Sequence, residues 1–233
     1  MKINNVAVIG AGLMGSGIAA QVANAGFPVI LLDIVPDGAT NRNVIAESAV
    51  SKMLKPVKLG SPASLMHRGN AKLITTGNIE DNLDFIKDAD LIIEVVLERL
   101  DVKHDVFRKI EEFRKKGSII TSNTSTIPRE QLVEGMAESF AKDFMITHFF
   151  NPPRYLRLLE IVSGSEVSQE KVQIVSDFCD IHLGKEVVVC NDTPGFIGNR
   201  IGTYWTLVGM VEAVKSGLTV EEADAVMLSL IHI

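Results

Sequence analysis

Of the five histidines in this chain, only His148 lies inside an apolar run, Phe144-Met-Ile-Thr-His-Phe-Phe150. Glu160 is likewise a lone carboxylate in an apolar run, Leu158-Leu-Glu-Ile-Val162. Both residues lie six positions from Arg154, within the turn-rich stretch Asn151-Pro-Pro-Arg-Tyr155. If the two runs pair antiparallel about that turn, 148 and 160 become cross-strand neighbours, with Cβ atoms about 4.5–5.5 Å apart. A buried carboxylate is costly unless it is paired, and an imidazole is a natural partner. Such a pair would fix the histidine tautomer and strengthen it as a base, which hydride-transfer chemistry requires. A purely structural His–Glu pair in a core is the alternative.

A second group of residues suits a dinucleotide. Gly10-Ala-Gly-Leu13-Met14-Gly15 is a G-x-G-x-x-G that follows a strand-like run and opens a helical one. Gly10 would permit the tight turn, Gly12 the approach of backbone to a pyrophosphate, and Gly15 close packing of helix on strand. The helix N-terminus adds unpaired N–H groups and a positive dipole end. Asp33 stands 18 residues after Gly15, where a carboxylate can accept from both ribose hydroxyls. No Arg or Lys occurs from Ile34 to Asn41, so a 2′-phosphate would meet a negative charge without a counter-charge. The pattern therefore predicts NAD rather than NADP. Ser122-Asn-Thr-Ser125 adds small hydroxyls at the end of another predicted strand, suited to a substrate oxygen. It reads equally as a turn and helix cap before Pro128.

These groups need a scaffold, and apolar periodicity predicts one. Strands are expected at 6–9, 28–33, 73–76, 90–96 and 117–122, then at 144–150, 156–162 and 186–189. Helices are expected from Leu13 to Ala25, from Pro36 to about Leu54, around 102–113, from about Ser168 to His182, and from Phe196 to about Gly217. Thr219-Val-Glu-Glu222 matches a capping box opening another helix. Residues 60–69 read as a loop. Strand and helix alternate up to Pro128, which implies an α/β fold with a doubly wound, mainly parallel sheet; the 144–162 pair adds an antiparallel hairpin.

Composition narrows the class. The chain has 233 residues, 46% hydrophobic and 22% charged, an ordinary globular balance. At roughly 150 residues per domain that is about one and a half domains. A net charge of −6 argues against nucleic acid or an anionic membrane surface as partner. No apolar run approaches the ~18–20 residues of a membrane span; the longest, Leu91 to Leu97, is interrupted by Glu94. Cys179 and Cys190 show neither metal-ligand spacing nor a disulfide framework. These features together predict a cytoplasmic protein with no metal site.

With these residues in place, the chain resembles the NAD-binding part of the L-3-hydroxyacyl-CoA dehydrogenase family, in particular its 3-hydroxybutyryl-CoA dehydrogenase-like members. The matching stretches are Gly10 to Gly15 with Asp33, Ser122-Asn-Thr-Ser125, His148-Phe-Phe-Asn-Pro152, Leu159-Glu-Ile161, and Asp192-Thr-Pro-Gly-Phe196 with Asn199-Arg200. The resemblance implies a Rossmann-like domain at 1–190 carrying the His–Glu pair. The start of an all-helical substrate and dimerisation domain would follow at 191–233.

It also implies roles. His148 would be the general base that takes the 3-hydroxyl proton, and Glu160 would orient it. Ser125 and Asn199 would hydrogen-bond the reacting oxygen. Glu98 and Lys103 match positions on the nicotinamide side of NAD, with Asn151 beside them; from the residues alone, Glu98 and Lys103 read as a solvated helix start. CoA contacts would fall on about Ile45 to Lys72. Partners implied are an acyl-CoA substrate, a second copy of the full-length protein, and a fused enoyl-CoA hydratase-like domain. Asn151-Pro-Pro-Arg-Tyr-Leu-Arg157 is closer to long members carrying that fusion than to short-chain ones.

The family's helical domain should run about a hundred residues past Asn191. The chain is therefore expected to be the N-terminal part of a longer member, with an apolar tail after Met227 and an exposed apolar face on its 197–214 helix. Two other readings stay open. One is a related NAD-dependent dehydrogenase of a free hydroxy acid or sugar acid. The other is a nucleotide-binding fragment without chemistry.

Overall fold

A computed structural model describes residues 2–56 and 63–231, with backbone alone at 228–231. Residues 60–62 of the expected 60–69 loop, and most of the apolar tail's side chains, lie outside the described residues. Inter-residue contacts divide the chain into Met1–Asp192 and Thr193–Ile233.

The first unit is built on one eight-stranded sheet: β1 (Val6–Ile9), β2 (Val29–Asp33), β3 (Ile74–Asn78), β4 (Leu91–Glu94), β5 (Ile119–Ser122), β6 (Phe144–Phe149), β7 (Leu158–Ser163) and β8 (Glu186–Cys190), ordered β3-β2-β1-β4-β5-β6-β7-β8. Neighbours run parallel except β6 and β7, which pair antiparallel. The order reverses between β1 and β4, the crevice where open α/β sheets bind ligands. This is the Rossmann-like mixed sheet that the sequence implies.

Strand residues alternate between two apolar layers, as the twofold side-chain period of a strand requires. Val8, Leu31, Ile93 and Ile161 join one core with α1 (Leu13–Asn24), α2 (Val44–Met53) and α6 (Gln169–Asp177). Phe144 turns the other way, onto Phe107 of α3 (Leu100–Phe113) and Phe140 of α5 (Glu138–Asp143), with ring centroids 5.2 Å away in both cases. The short α4 (Arg129–Val133) precedes α5.

Several boundaries differ from expectation. The helix expected from Pro36 starts only at Val44. A turn from Pro36 to Ala39, the left-handed Gly38 (φ +70°) and an Asn41 side chain accepting from Asn43 N–H divert the backbone first. Such local side-chain bonds compete with the helix. The helix expected to reach His182 becomes π-helical over Phe178–His182.

The second unit contains α7 (Gly198–Lys215) and α8 (Val220–Ile231). At the start of α8, Thr219 and Glu222 exchange the two bonds of a capping box. No residue of α7 is buried, and Tyr204, Met210 and Val214 are exposed. No helix among the described residues is long and apolar enough to cross a membrane.

Candidate active site

The glycine turn links β1 to α1 at the crevice. A Cβ on Gly10, whose φ is +109°, would strike the Val95 carbonyl, and one on Gly15 would strike the Gly10 carbonyl. Nothing lies within 4 Å of a Cβ built on Gly12. Two glycines are thus required by close backbone, while the middle one faces open space that a pyrophosphate can approach. Gly12 caps α1 without any side-chain bond. Leu13 is exposed and Met14 packs partly against the core. Asp33, at the end of β2, accepts from Ala11 N–H at 2.5 Å and Ile34 N–H at 2.7 Å, so its carboxylate is fixed beside the turn. This is a cradle that fits a dinucleotide.

Further along the same sheet, the β6–β7 register sets His148 directly opposite Glu160. Equal spacing about Arg154 implied that pairing. Nδ1 of His148 lies 2.7 Å from Glu160 Oε2; the His148 side chain is 7% exposed and that of the glutamate not at all. Asn151 sits exposed just after β6. Its loop is held from below by Lys185, whose buried ammonium donates to the Pro153 and Leu156 carbonyls. Arg154 donates to the Ala63 carbonyl.

Ser125 lies in the turn after β5, and the carboxylate that holds this turn is Glu98. Its Oε1 accepts the Thr124 hydroxyl, Ser125 N–H (3.0 Å), Thr126 N–H (3.2 Å) and the Thr126 hydroxyl (3.0 Å). Burial works against the charge on Glu98, yet the Thr124 bond, the Lys103 charge and the other donors hold its pKa below the usual range. Lys103 is 1% exposed, with Nζ 2.8 Å from Glu94 and 3.3 Å from Glu98. The reading of Lys103 as part of a solvated helix start is thereby corrected: two carboxylates draw its ammonium inward, as a buried charge demands.

Glu94 itself escaped the sequence reading, where it counted only as a charge breaking an apolar run. Burial raises its pKa, against the pull of Lys103. The signal was available, because a lone carboxylate in an apolar strand is what singled out Glu160. Neither cysteine offers a nucleophile: burial pushes the Cys179 thiol up to about 12 and Cys190 to about 11. Asn199 belongs to the second unit, in the first turn of α7.

With the glycine turn, acidic strand end and buried His–Glu pair on one sheet, the comparison with known proteins is decisive. The family described as "3-hydroxyacyl-CoA dehydrogenase, NAD binding domain" matches residues 5–193. The chain belongs to this family. NAD is accordingly the cofactor of this dehydrogenase domain.

The chain is 48% identical over 224 residues to a probable 3-hydroxyacyl-CoA dehydrogenase of Deinococcus radiodurans, covering 96% of this chain and 64% of that protein. It is 45% identical over 203 residues to a putative fatty acid oxidation complex trifunctional enzyme of Rickettsia felis, covering 87% of this chain and 28% of that one. The chain thus spans less than two thirds of either relative. Among solved structures it resembles FadB2 of M. tuberculosis, with a TM-score of 0.80 and 28% identity over 98% of this chain and 79% of the other.

Proposed function

We propose that this chain is the cofactor-binding, base-carrying part of an enzyme that oxidises L-3-hydroxyacyl-CoA to 3-ketoacyl-CoA with NAD. The observation that carries the reading is the buried His148–Glu160 pair, 2.7 Å apart, on the sheet that holds the glycine turn. With Nδ1–H donating to Glu160, Nε2 is the basic nitrogen of the pair. His148 takes the 3-hydroxyl proton as the C3–O bond becomes a carbonyl, and Glu160 keeps the ring oriented and offsets the charge it gains. Ser125 donates to the reacting oxygen. Asn199 is given the same task on the family resemblance alone. NAD, when bound, supplies the hydride acceptor, and Gly10, Gly12, Leu13, Met14, Gly15, Asp33, Glu98, Lys103 and Asn151 are the residues assigned to hold it.

For the substrate, support comes from a groove of about 700 Å³ between the start of α1 and α2, lined by Leu13, Ser16, Ile45, Ser48, Lys52 and Lys55. Its α2 side falls on the segment to which the family resemblance assigns CoA contacts, and its two ammonium groups suit phosphates. We propose too that residues 191–233 begin a helical substrate domain. The exposed apolar side chains of α7 favour a homodimer of the full-length protein, and the name of the R. felis relative favours fusion to a hydratase-like domain. A cytoplasmic location accords with two cysteines that remain free thiols.

The test is NADH-linked reduction of acetoacetyl-CoA by the full-length protein. His148→Ala should lower turnover by roughly 10²–10⁴-fold, the span of a general base. Wild-type rates in that variant would overturn the base assignment, and equal rates on acetoacetate would overturn the CoA substrate.

A further inference from the structure

Glu94 has no role in the steps above, yet three donors converge on it. It ends β4 fully buried, opposite Ser122 in the β4–β5 register. Its carboxylate accepts Lys103 Nζ at 2.8 Å, the Ser122 hydroxyl at 2.5 Å and Val96 N–H at 2.7 Å. Two of these contacts lead to the same place. Ser122 Oγ, while donating to Glu94, accepts Thr124 N–H at 3.2 Å. Lys103 bridges Glu94 to Glu98, and Glu98 gathers Thr124, Ser125 and Thr126. Both routes end on the turn that carries Ser125.

That turn is in its own right tied to the strand of the base. Asn123 N–H donates to the Glu94 carbonyl at 2.9 Å, and Asn123 Oδ1 accepts Phe149 N–H, next to His148, at 2.9 Å. We propose that Glu94 is a positioning residue for the reaction: without touching substrate, it holds the Ser125 turn in register with the His148 strand through Ser122, Lys103 and Glu98. The proposal rests on the roles given to His148 and Ser125 above. A carboxylate is required because three donors arrive together on its two oxygens; an amide that keeps its single acceptor oxygen on Lys103 and Val96 turns an NH2 toward the Ser122 hydroxyl and removes the charge that pairs the Lys103 ammonium. Displacements of about 1 Å at a reacting group can cost roughly 10²-fold in rate, so such a tether has consequences for turnover.

The first readout needs no catalysis. Backbone amide exchange, followed by NMR on this chain, should show Thr124, Ser125, Thr126 and Phe149 exchanging about tenfold faster or more in Glu94→Gln, with Leu31 in β2, a strand that does not pair with β4, unchanged. Unchanged protection of the turn, or equal loss across the sheet, would overturn the proposal; the second result would make Glu94 a general stabiliser only. Should Glu94→Gln not fold, Ser122→Ala carries the same test, with Thr124 the amide expected to open.

In the full-length protein, kcat should drop about tenfold or more while KM for acyl-CoA stays within about threefold, the split expected of misplaced groups rather than lost binding. Wild-type kcat in Glu94→Gln would overturn the positioning role. If the wild-type protein turns over no acyl-CoA at all, the functional reading fails, and the exchange result still decides what Glu94 holds.

Discussion

Asp33 Oδ2 and Ala11 N–H are joined at 2.5 Å, tying the end of β2 to the glycine turn. The carboxylate assigned to the ribose therefore also fixes the turn assigned to the pyrophosphate. The next cation along the chain, Arg42, is forked onto Asp81 at 2.6 and 2.9 Å, turned to another task than a 2′-phosphate.

Asp33→Ala is expected to weaken NAD binding by roughly 10–100-fold, the worth of hydrogen bonds to a charged group, with no compensating gain for NADP. Calorimetric titration with both cofactors measures this. Unchanged NAD affinity in the variant would overturn the assignment of Asp33 to the ribose, and tight NADP binding would show that its charge alone had excluded the 2′-phosphate.

Glu160→Gln keeps the shape beside His148 and removes the charge. Turnover should fall by about 10–100-fold, since a charge-assisted bond to the base is lost, while NAD affinity is retained. Steady-state kinetics and a cofactor titration separate the two. Unaltered turnover would make the pair a structural feature of the sheet.

Lys52→Glu with Lys55→Glu should raise KM for acyl-CoA about tenfold, on the order of 1.4 kcal/mol from reversing two exposed charges. A short thioester lacking the nucleotide should keep its KM, and added salt should shrink the difference. If both substrates respond alike, the groove does not hold the CoA phosphates.

Asp90 accepts Asn4 N–H at 2.8 Å, Asn5 N–H at 3.0 Å and Lys115 Nζ at 2.5 Å. Burial opposes its charge, but these donors outweigh it and hold the carboxyl below its ordinary value. A depressed folded-state pKa adds stability above the unfolded value, and that stability is lost as pH falls through the folded value. Asp90→Asn should cost about 1–3 kcal/mol at neutral pH, with the gap closing below about pH 4. Urea titrations across that range check it. A gap independent of pH would remove the ionised carboxylate from the account.

The site was legible where chemistry and periodicity coincided. His148 and Glu160 stand out because a polar residue in an apolar strand must be paired, and their spacing about Arg154 set the register in advance. Glu98 and Lys103 were not legible from their residue types, because a buried ammonium depends on carboxylates that only the β4–α3 connection brings near. Glu94 was overlooked since a single charge in a short strand looks like an interruption until its donors are known. The start of α2 was misplaced for a local reason: a turn at Pro36 and an asparagine bond at Asn41 outcompete a helical pattern that spans both.

The antiparallel pairing of β6 with β7 has a consequence for the order of assembly. His148 and Glu160 are 12 residues apart, whereas the Asp33–Ala11 and Ser122–Glu94 bonds close separations of 22 and 28. Closing a shorter loop costs less entropy, and hairpins form in about 1–10 μs, before parallel strands that await their crossover helices. The base and its carboxylate should then meet while the dinucleotide crevice is still open chain. On that account Ile161→Val in β7 slows folding, whereas Ile9→Val in β1 chiefly speeds unfolding; stopped-flow chevrons with the opposite pattern would place the crevice first. The chain would acquire its acid–base pair before it has anywhere to hold a cofactor.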